Sequence, residues 1–190
     1  MLPTREEAEK LLKEAEQCNP GPWGNHSRVA ADCAEKIASH IPGMNSDKAY
    51  ILGLLHDIGR KFGVKHLGHV YDGYIYMLEL GYDEVARICL THSFSIPDIS
   101  VYIGNFDITQ EEQKILEQAL SITQFDEYDK LIQLCDSLAT AEGVVDIEVR
   151  MNDVKSRYGT YPQEKWDTNI GLLKYFSEIV GMDLYQLVLS

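Results

Sequence analysis

Residues 51–60, Ile-Leu-Gly-Leu-Leu-His-Asp-Ile-Gly-Arg, decide how this chain is expected to fold. Their apolar side chains leave almost no polar face, which predicts the last turns of a helix that other helices enclose. His56 and Asp57 then enter an interior where water is scarce, and a buried carboxylate is costly unless a cation or strong donors meet it. Gly59 suits the C-terminus of this helix. The rest of the chain is therefore expected to provide what His56 and Asp57 need.

Helical signals extend along the whole chain and predict an all-α fold. The predicted helix starts are capping boxes at Thr4/Glu7 and Thr109/Glu112 and caps or first residues at Asn25, Ser46 and Asp126. The predicted spans include about 26–40, 68–80, 83–93, 145–158, 163–180 and 183–189. No stretch shows sustained strand alternation. We expect a single bundle of about eight to ten helices over residues 1–190, with a motif region at about 25–155 and a C-terminal helical extension at about 160–190.

The composition is that of an ordinary soluble globular protein, with 45% apolar and 25% charged residues. The formal net charge of −13 argues against a nucleic-acid binder, which would present a basic face, and makes anionic membranes poor partners. The N-terminus lacks the apolar region of a signal peptide, and no apolar run approaches about 18 residues. Cys33, Cys89 and Cys135 fall on apolar helical faces, and the chain has no Cys-x-x-Cys pair. We therefore expect a cytoplasmic protein with reduced cysteines.

Four helices each present a candidate metal ligand on a stripe that is predicted to be buried. Spacings of three, four and seven residues place these ligands among apolar side chains. They are His26, His69, His92 and Asp136. A single histidine in such a position is more often a hydrogen-bonded core residue, and an arginine could compensate the Asp136 carboxylate instead of a metal. Together with His56 and Asp57, however, four histidines and two aspartates from five helices favour one shared metal centre.

Three motifs in this order resemble the HD superfamily of metal-dependent phosphohydrolases. They are His26 followed by Val29-Ala30, then Leu-Leu-His56-Asp57-Ile-Gly, then Leu134-Cys-Asp136-Ser-Leu, all within about residues 25–155. The resemblance implies that His26, His56, Asp57 and Asp136 hold one metal ion. It also implies that Asp57 bridges to a second ion held with His69 and His92, which resemble the additional histidines of the dinuclear branches. Those branches include the di-iron hydrolases of diadenosine tetraphosphate and the cyclic-dinucleotide phosphodiesterases.

The segment after the His-Asp pair reverses the charge of this acidic chain. Residues 60–68 are predicted to form a loop that contains three basic residues and no acid. Many members of the family have a lysine directly after Ile-Gly, where this chain has Arg60 and then Lys61. Both are predicted to bind substrate phosphate and to assist catalysis, arginine as a bidentate fork and lysine as a point charge. His40 and His66 match no motif position and are interpreted as surface residues, although His66 is close enough to His69 in sequence that the choice of ligand between the two stays open.

The predicted ligands define a chemistry. Mixed nitrogen and oxygen ligands suit one or two ions of Fe, Mn, Co, Ni or Zn. Such an ion lowers the pKa of bound water from about 15.7 to about 7. The sequence therefore predicts an enzyme that hydrolyses a phosphoester or phosphoanhydride by metal-activated hydroxide, with Asp57 as the central catalytic residue. The expected partner is a small phosphorylated substrate of nucleotide type, and the sequence leaves open whether the chain forms a homodimer.

Three other functions stay open at this point. One is a mononuclear 5′-nucleotidase, in which His69 and His92 contact phosphate and not metal. Another is a non-catalytic module that senses a nucleotide, and the third is a structural helical protein with paired, buried histidines. The segment Phe94–Ile108 has no clear period and is long for a loop, which is typical of a lid. Its Tyr102 and Phe106 either stack on a nucleobase or pin the segment to the core.

Overall fold

A computed structural model of the chain describes residues 1–189 and is helical throughout. The α-helices are α1 (Arg5–Cys18), α2 (Trp23–Ser39), α3 (Ser46–Leu55), α4 (Leu67–Glu79), α5 (Asp83–Thr91), α6 (Gln110–Ile122), α7 (Glu127–Leu138), α8 (Ile147–Tyr158), α9 (Gln163–Val180) and α10 (Leu184–Val188). Two short 3-10 helices cover Ile58–Phe62 and Ile99–Val101. The β pairing among these 189 residues is limited to one isolated bridge, between Ala139 and Val144. The predicted all-α class is confirmed.

Local side-chain chemistry explains most of the helix starts. The side chains of Thr4, Thr109 and Asp126 each accept hydrogen bonds from backbone N–H groups of the first turn, as predicted. The prediction that Asn25 caps α2 is wrong, because the helix begins at Trp23 and Asn25 lies inside its first turn. Pro22 already has helical dihedral angles (φ −71°, ψ −11°), and the Trp23 indole donates to the Asn19 carbonyl at 2.8 Å. These two features move the start of the helix toward the N-terminus.

The centre of the main core is α3, as its apolar sequence predicts. Every residue from Ala49 to Leu55 is buried. The helix lies against α2 with very little space between the two backbones, because a Cβ on Gly53 would be 2.8 Å from the Cα of Ala31. Such a close approach is possible only for glycine. It brings α2, which carries His26, next to the end of α3, which carries His56.

The chain changes its helical geometry directly after His56. The α3 helix ends at Leu55, His56 is its C-terminal cap, and Asp57 precedes the 3-10 helix Ile58–Phe62. The predicted role of Gly59 as a helix terminator is therefore wrong. A Cβ on Gly59 would be 1.9 Å from the His69 carbonyl oxygen and 2.5 Å from the Gly73 nitrogen. Glycine at this position lets the 3-10 helix touch the backbone of α4, which carries His69.

A second, smaller cluster of buried residues anchors the segment Phe94–Ile108. Phe94 is fully buried together with Leu67 of α4, Leu90 of α5 and Leu116 of α6. The 3-10 helix Ile99–Val101 lies within this segment, in which the sequence shows no clear period. Its N-terminal end is therefore attached to the core by ordinary apolar packing.

The C-terminal helices pack on the same main core as α2 and α7. Leu172 and Phe176 of α9 and Leu184 of α10 belong to that cluster. Three of the four cysteines are buried free thiols, as the apolar helical faces predict, and Cys18 is exposed. Among residues 1–189, no helix combines the length and apolar character needed to cross a lipid bilayer.

Candidate metal centre

Four histidine rings face one another in the interior, and each is oriented by a backbone carbonyl. In each ring Nδ1 lies at a carbonyl oxygen: His26 at Ala139 (3.2 Å), His56 at Gly53 (2.7 Å), His69 at His66, and His92 at Cys89 (2.9 Å). A neutral histidine that donates through Nδ1 presents the lone pair of Nε2 on the opposite side. The backbone therefore sets four Nε2 atoms toward the centre, as is usual for metal-binding histidines.

The first ligand group consists of His26, His56, Asp57 and Asp136. The Asp136 carboxylate lies 2.9 Å from His26 Nε2 and 3.7 Å from His56 Nε2. His56 Nε2 is 4.0 Å from the Asp57 carboxylate. The nearest ligand atoms of His26, His56 and Asp57 all lie within 4.8 Å of one another. Helices α2, α3 and α7 thus bring these side chains together, although His26 and Asp136 are 110 positions apart in the sequence.

The second ligand group consists of Asp57, His69 and His92. Asp57 Oδ1 is 3.1 Å from His69 Nε2 and 3.5 Å from His92 Nε2. The two Nε2 atoms are 3.3 Å apart. His69 is in the first turn of α4, and His92 is the C-terminal cap of α5. Asp57 therefore belongs to both groups, which is the arrangement that the sequence motifs imply.

The protonation states of Asp57, Asp136 and His69 suit metal ligation. Burial alone would raise the pKa of Asp57, but the Arg60 guanidinium and His69 outweigh it and hold this pKa well below its ordinary value. Burial acts in the same direction on Asp136, but the adjacent rings of His26 and His56 outweigh it and hold its pKa well below the ordinary value. Burial, together with the Arg60 charge, lowers the pKa of His69 to about 4. Two ionised carboxylates and a neutral His69 at pH 7 are the forms that bind metal ions.

Two buried atoms at the centre lack the partner that burial ordinarily requires. His56 Nε2 and Asp57 Oδ1 are both inaccessible, and neither has a hydrogen-bond partner among the described residues. An unpaired buried acceptor costs roughly 1–3 kcal/mol. The Nε2 atoms of His69 and His92 also face each other, at 3.3 Å, close to the unpaired Asp57 oxygen. A divalent cation held by these side chains would remove the penalties at His56 Nε2 and Asp57 Oδ1, so the residues present fit one or two such ions.

The two predicted phosphate-binding residues point in different directions. Arg60 lines the cavity over the centre, and its Nε donates to Asp57 Oδ2 at 2.5 Å. Lys61 does not line this cavity, since its ammonium donates to the Tyr76 hydroxyl at 2.9 Å and lies over the Tyr76 ring. Consecutive residues of a 3-10 helix are rotated by about a third of a turn, which separates the two side chains. The placement therefore gives no support to a phosphate contact by Lys61.

His66 and His40 are not part of the centre. His40 is exposed, as predicted. His66 is half-buried, and its carbonyl oxygen accepts the hydrogen bond from His69 Nδ1. His66 and His69 are close together at the start of α4, and His69 is the one that faces the other candidate ligands.

Sequence analysis missed most of the cavity that opens over the centre. This cavity has a volume of about 650 Å³, within the range of small-molecule sites. One wall contains the ligands, and the other comes from α8, α9 and the connection between them. The residues of this second wall, the C-terminal wall, include Arg150, Arg157, Tyr161, Lys165 and Asn169. In sequence these residues look like ordinary positions on solvated helices, so no signal distinguishes them.

Gln133 is a further residue that sequence analysis missed. It lies on α7, is buried, and donates through Nε2 to the carbonyl oxygens of Thr91 (3.0 Å) and Phe94 (2.9 Å). These carbonyls flank His92 on both sides. Gln133 thus fixes the turn that carries one second-group ligand.

Comparison with known families agrees with this geometry. A family model described as "HD domain" matches residues 23–141, and the matched segment contains all six ligands. No curated protein sequence and no solved structure gives a significant match. Proteins of this family are in general metal-dependent hydrolases. Because the match covers more than half of the 190 residues, this chain belongs to the HD domain family.

Proposed function

We propose that this protein is a metal-dependent phosphohydrolase that cleaves a phosphoester or phosphoanhydride in a nucleotide-like substrate. The observation that carries the proposal is the shared carboxylate of Asp57, which lies against ligand atoms of both groups. A carboxylate shared by two sets of histidines would suit a pair of divalent ions, as in two-metal hydrolytic sites. The same proposal places the enzyme in the cytoplasm, where buried thiols stay reduced.

Divalent transition ions, when bound, supply a water of lowered pKa and neutralise charge on the phosphoryl oxygens. The chain's own residues prepare the site for them. Backbone carbonyls fix the four imidazoles, so little reorganisation is needed on binding. Asp57 and Asp136 supply two negative charges that offset the ions.

Arg60 is the residue of the ligand wall that is placed to meet an anionic substrate. Its guanidinium has five N–H donors, and among the described residues Nε alone has a hydrogen-bond partner. The other donors are available for a phosphate oxygen. An arginine beside Asp57 also offsets the acidity of the protein as a whole, which would otherwise repel an anion.

The test combines metal content with turnover. Protein loaded with Mn or Fe should contain close to two ions per chain. It should release phosphate or a nucleotide from at least one member of a panel of nucleoside monophosphates, dinucleoside tetraphosphates and cyclic dinucleotides. Close to one ion per chain, with turnover of monophosphates alone, would favour a mononuclear nucleotidase. Fully loaded protein that binds nucleotides and converts none would show that hydrolysis is the wrong proposal and that the chain is a sensing module.

A further inference from the structure

Lys165 is the exceptional cation of the cavity. Four basic side chains line it: Arg60, Arg150, Arg157 and Lys165. The three arginines each pair with a carboxylate, Arg60 with Asp57 at 2.5 Å and the other two with Asp153 at 3.3 and 2.9 Å. Within residues 1–189, no carboxylate oxygen lies within 4.0 Å of the Lys165 ammonium. Its hydrogen bond goes to a neutral acceptor, the Ser93 carbonyl, at 2.7 Å.

An ammonium in this position is costly for the folded protein. It has three donors, and the structure shows one hydrogen bond for them. Burial lowers the pKa of Lys165 to about 8, although the Asp136 charge acts in the opposite direction. In a chain with 30 acidic and 17 basic residues, an acid could easily be placed beside it. Lys165 is half-buried, and a cation that is partly removed from water without a counter-ion is stabilised when a ligand brings the anion.

A second observation concerns the segment that Lys165 contacts. Lys165 donates to the Ser93 carbonyl, and the Ser93 hydroxyl lies 3.0 Å from His92 Nε2. Ser93 and Ser95 both line the same cavity as Lys165. The ammonium, which has donors without a partner among the described residues, therefore faces this cavity next to the segment that follows His92.

We propose that Lys165 binds an anionic group of the substrate other than the one that is hydrolysed, namely a further phosphate of a polyphosphate chain. This inference rests on the proposed function, because the substrate it refers to is the substrate of that hydrolysis. The phosphate that reacts belongs at the candidate ligands and Arg60, whereas Lys165 comes from α9 and donates to the carbonyl of Ser93, the residue that follows His92. A cavity of about 650 Å³ is larger than a single phosphate needs. Helix α9 lies outside residues 23–141, so Lys165 is not part of the matched family segment.

The test measures binding and needs no turnover. The dissociation constants of inorganic tripolyphosphate and of orthophosphate are measured by calorimetry on manganese-loaded wild type, Lys165→Gln and Lys174→Gln. Lys174 is the matched control, because it lies on the same helix, carries the same charge and is exposed. We expect Lys165→Gln to bind tripolyphosphate at least about tenfold more weakly, as for a lost charge-assisted hydrogen bond. Its orthophosphate binding should change less than twofold, and Lys174→Gln should match wild type for both.

Tripolyphosphate binding within twofold of wild type in Lys165→Gln would overturn the assignment, and so would an equal loss for both anions. The variant Lys165→Met distinguishes a purely structural role of Lys165 from anion binding, because methionine keeps an unbranched apolar stem and lacks the charge. We expect this variant to melt no lower than wild type without ligand, yet to lose the tripolyphosphate preference. A lower melting temperature with an unchanged preference would show a structural role. A failure of hydrolysis alone leaves all these binding results interpretable, so the two proposals fail separately.

Discussion

The cavity has two walls, and they satisfy their charges in different ways. On the ligand wall, Asp57 and Asp136 are met by Arg60 and by histidine rings, and each ring is held by a backbone carbonyl. On the C-terminal wall, the Lys165 ammonium lies against a neutral carbonyl, and no carboxylate oxygen of residues 1–189 lies within 4.0 Å of it. The first wall is arranged before any ligand binds, apart from the unpaired atoms that a metal ion would meet. The second leaves a charge for the ligand to satisfy.

The difference between the two walls indicates which of them is suited to reactivity and which to specificity. Preorganised groups that already have partners can hold ions and the reacting phosphate with little rearrangement. A cation without a counter-ion adds affinity only when the ligand brings a second negative charge. The ligand wall is therefore suited to the chemical step shared by the family, and the C-terminal wall to the choice of substrate.

The substitution with the largest predicted consequence is at Asp57, the residue that both ligand groups share. Asp57→Asn keeps the shape of the side chain and removes the charge that both groups use. Metal content should fall below one ion per chain, and turnover should fall by about a thousandfold or more, as expected when several kcal/mol of metal-derived stabilisation is lost. Elemental analysis of the purified variant and a phosphate-release assay measure the two quantities.

The control for Asp57→Asn is Asp153→Asn, which makes the same charge change on the other side of the cavity. Asp153 pairs with Arg150 and Arg157 and contacts none of the ligands. Its metal content should equal that of wild type. Two ions per chain in Asp57→Asn would contradict the shared-ligand geometry.

The next prediction concerns the close contact at Gly59, which holds the 3-10 helix against α4 in the ligand wall. In Gly59→Ala the new methyl would collide with the backbone of His69 and Gly73, at 1.9 and 2.5 Å, and backbone atoms cannot turn aside. We expect the free energy of unfolding to fall by about 3 kcal/mol or more, at the upper end for an overpacked core. Urea unfolding measures this change. Because α4 carries His69, its displacement should also weaken metal binding by the second ligand group more than metal binding by the first.

Gly171→Ala is the matched substitution on α9, where nothing lies within 4 Å of the new Cβ. Here alanine should stabilise the protein by about 0.5–1 kcal/mol, because it reduces the conformational freedom of the unfolded chain. If Gly59→Ala were as stable as wild type, the close contact between the 3-10 helix and α4 would not exist as described.

The two walls also differ in how far the sequence predicts them. His26, His56, Asp57 and Asp136 are polar residues on apolar helical stripes, and this conflict makes them conspicuous in the sequence alone. Lys165 shows no such conflict, because a lysine on an amphipathic helix is ordinarily solvated. Only the packing of α9 over the cavity makes it unusual.

Three positions after the His-Asp pair show where local patterns stop being sufficient. The sequence predicts that Gly59 ends a helix, yet its role depends on the distance to α4, which no local pattern contains. Lys61 and Arg60 are adjacent cations, and sequence alone does not show which of them turns toward the cavity. Local patterns predict helices and buried ligands, whereas contacts between distant elements decide which neighbouring residues take part.

The smallest expected effect tests the C-terminal wall through its pH dependence. The pKa of Lys165 is lowered from 10.5 to about 8 in the folded, ligand-free protein. As the pH falls from 10.5 to 8, the unfolded chain takes up a proton that the folded protein does not, so the folded state loses stability. Below pH 8 both states carry the proton and the loss is complete. At about 1.4 kcal/mol per pH unit, the upper bound of this loss is about 3.5 kcal/mol, and solvent around the half-buried side chain makes it smaller.

Lys165→Met should not show this loss, so the difference in unfolding free energy between it and wild type should change across pH 8–10.5. Tyrosines and exposed lysines that titrate in the same window are common to both proteins and cancel in the difference. Saturating tripolyphosphate should abolish the change, because a bound anion returns the pKa of Lys165 toward its ordinary value. Parallel curves for the two ligand-free proteins would mean that the ammonium is already compensated, and the contrast between the two walls would then disappear.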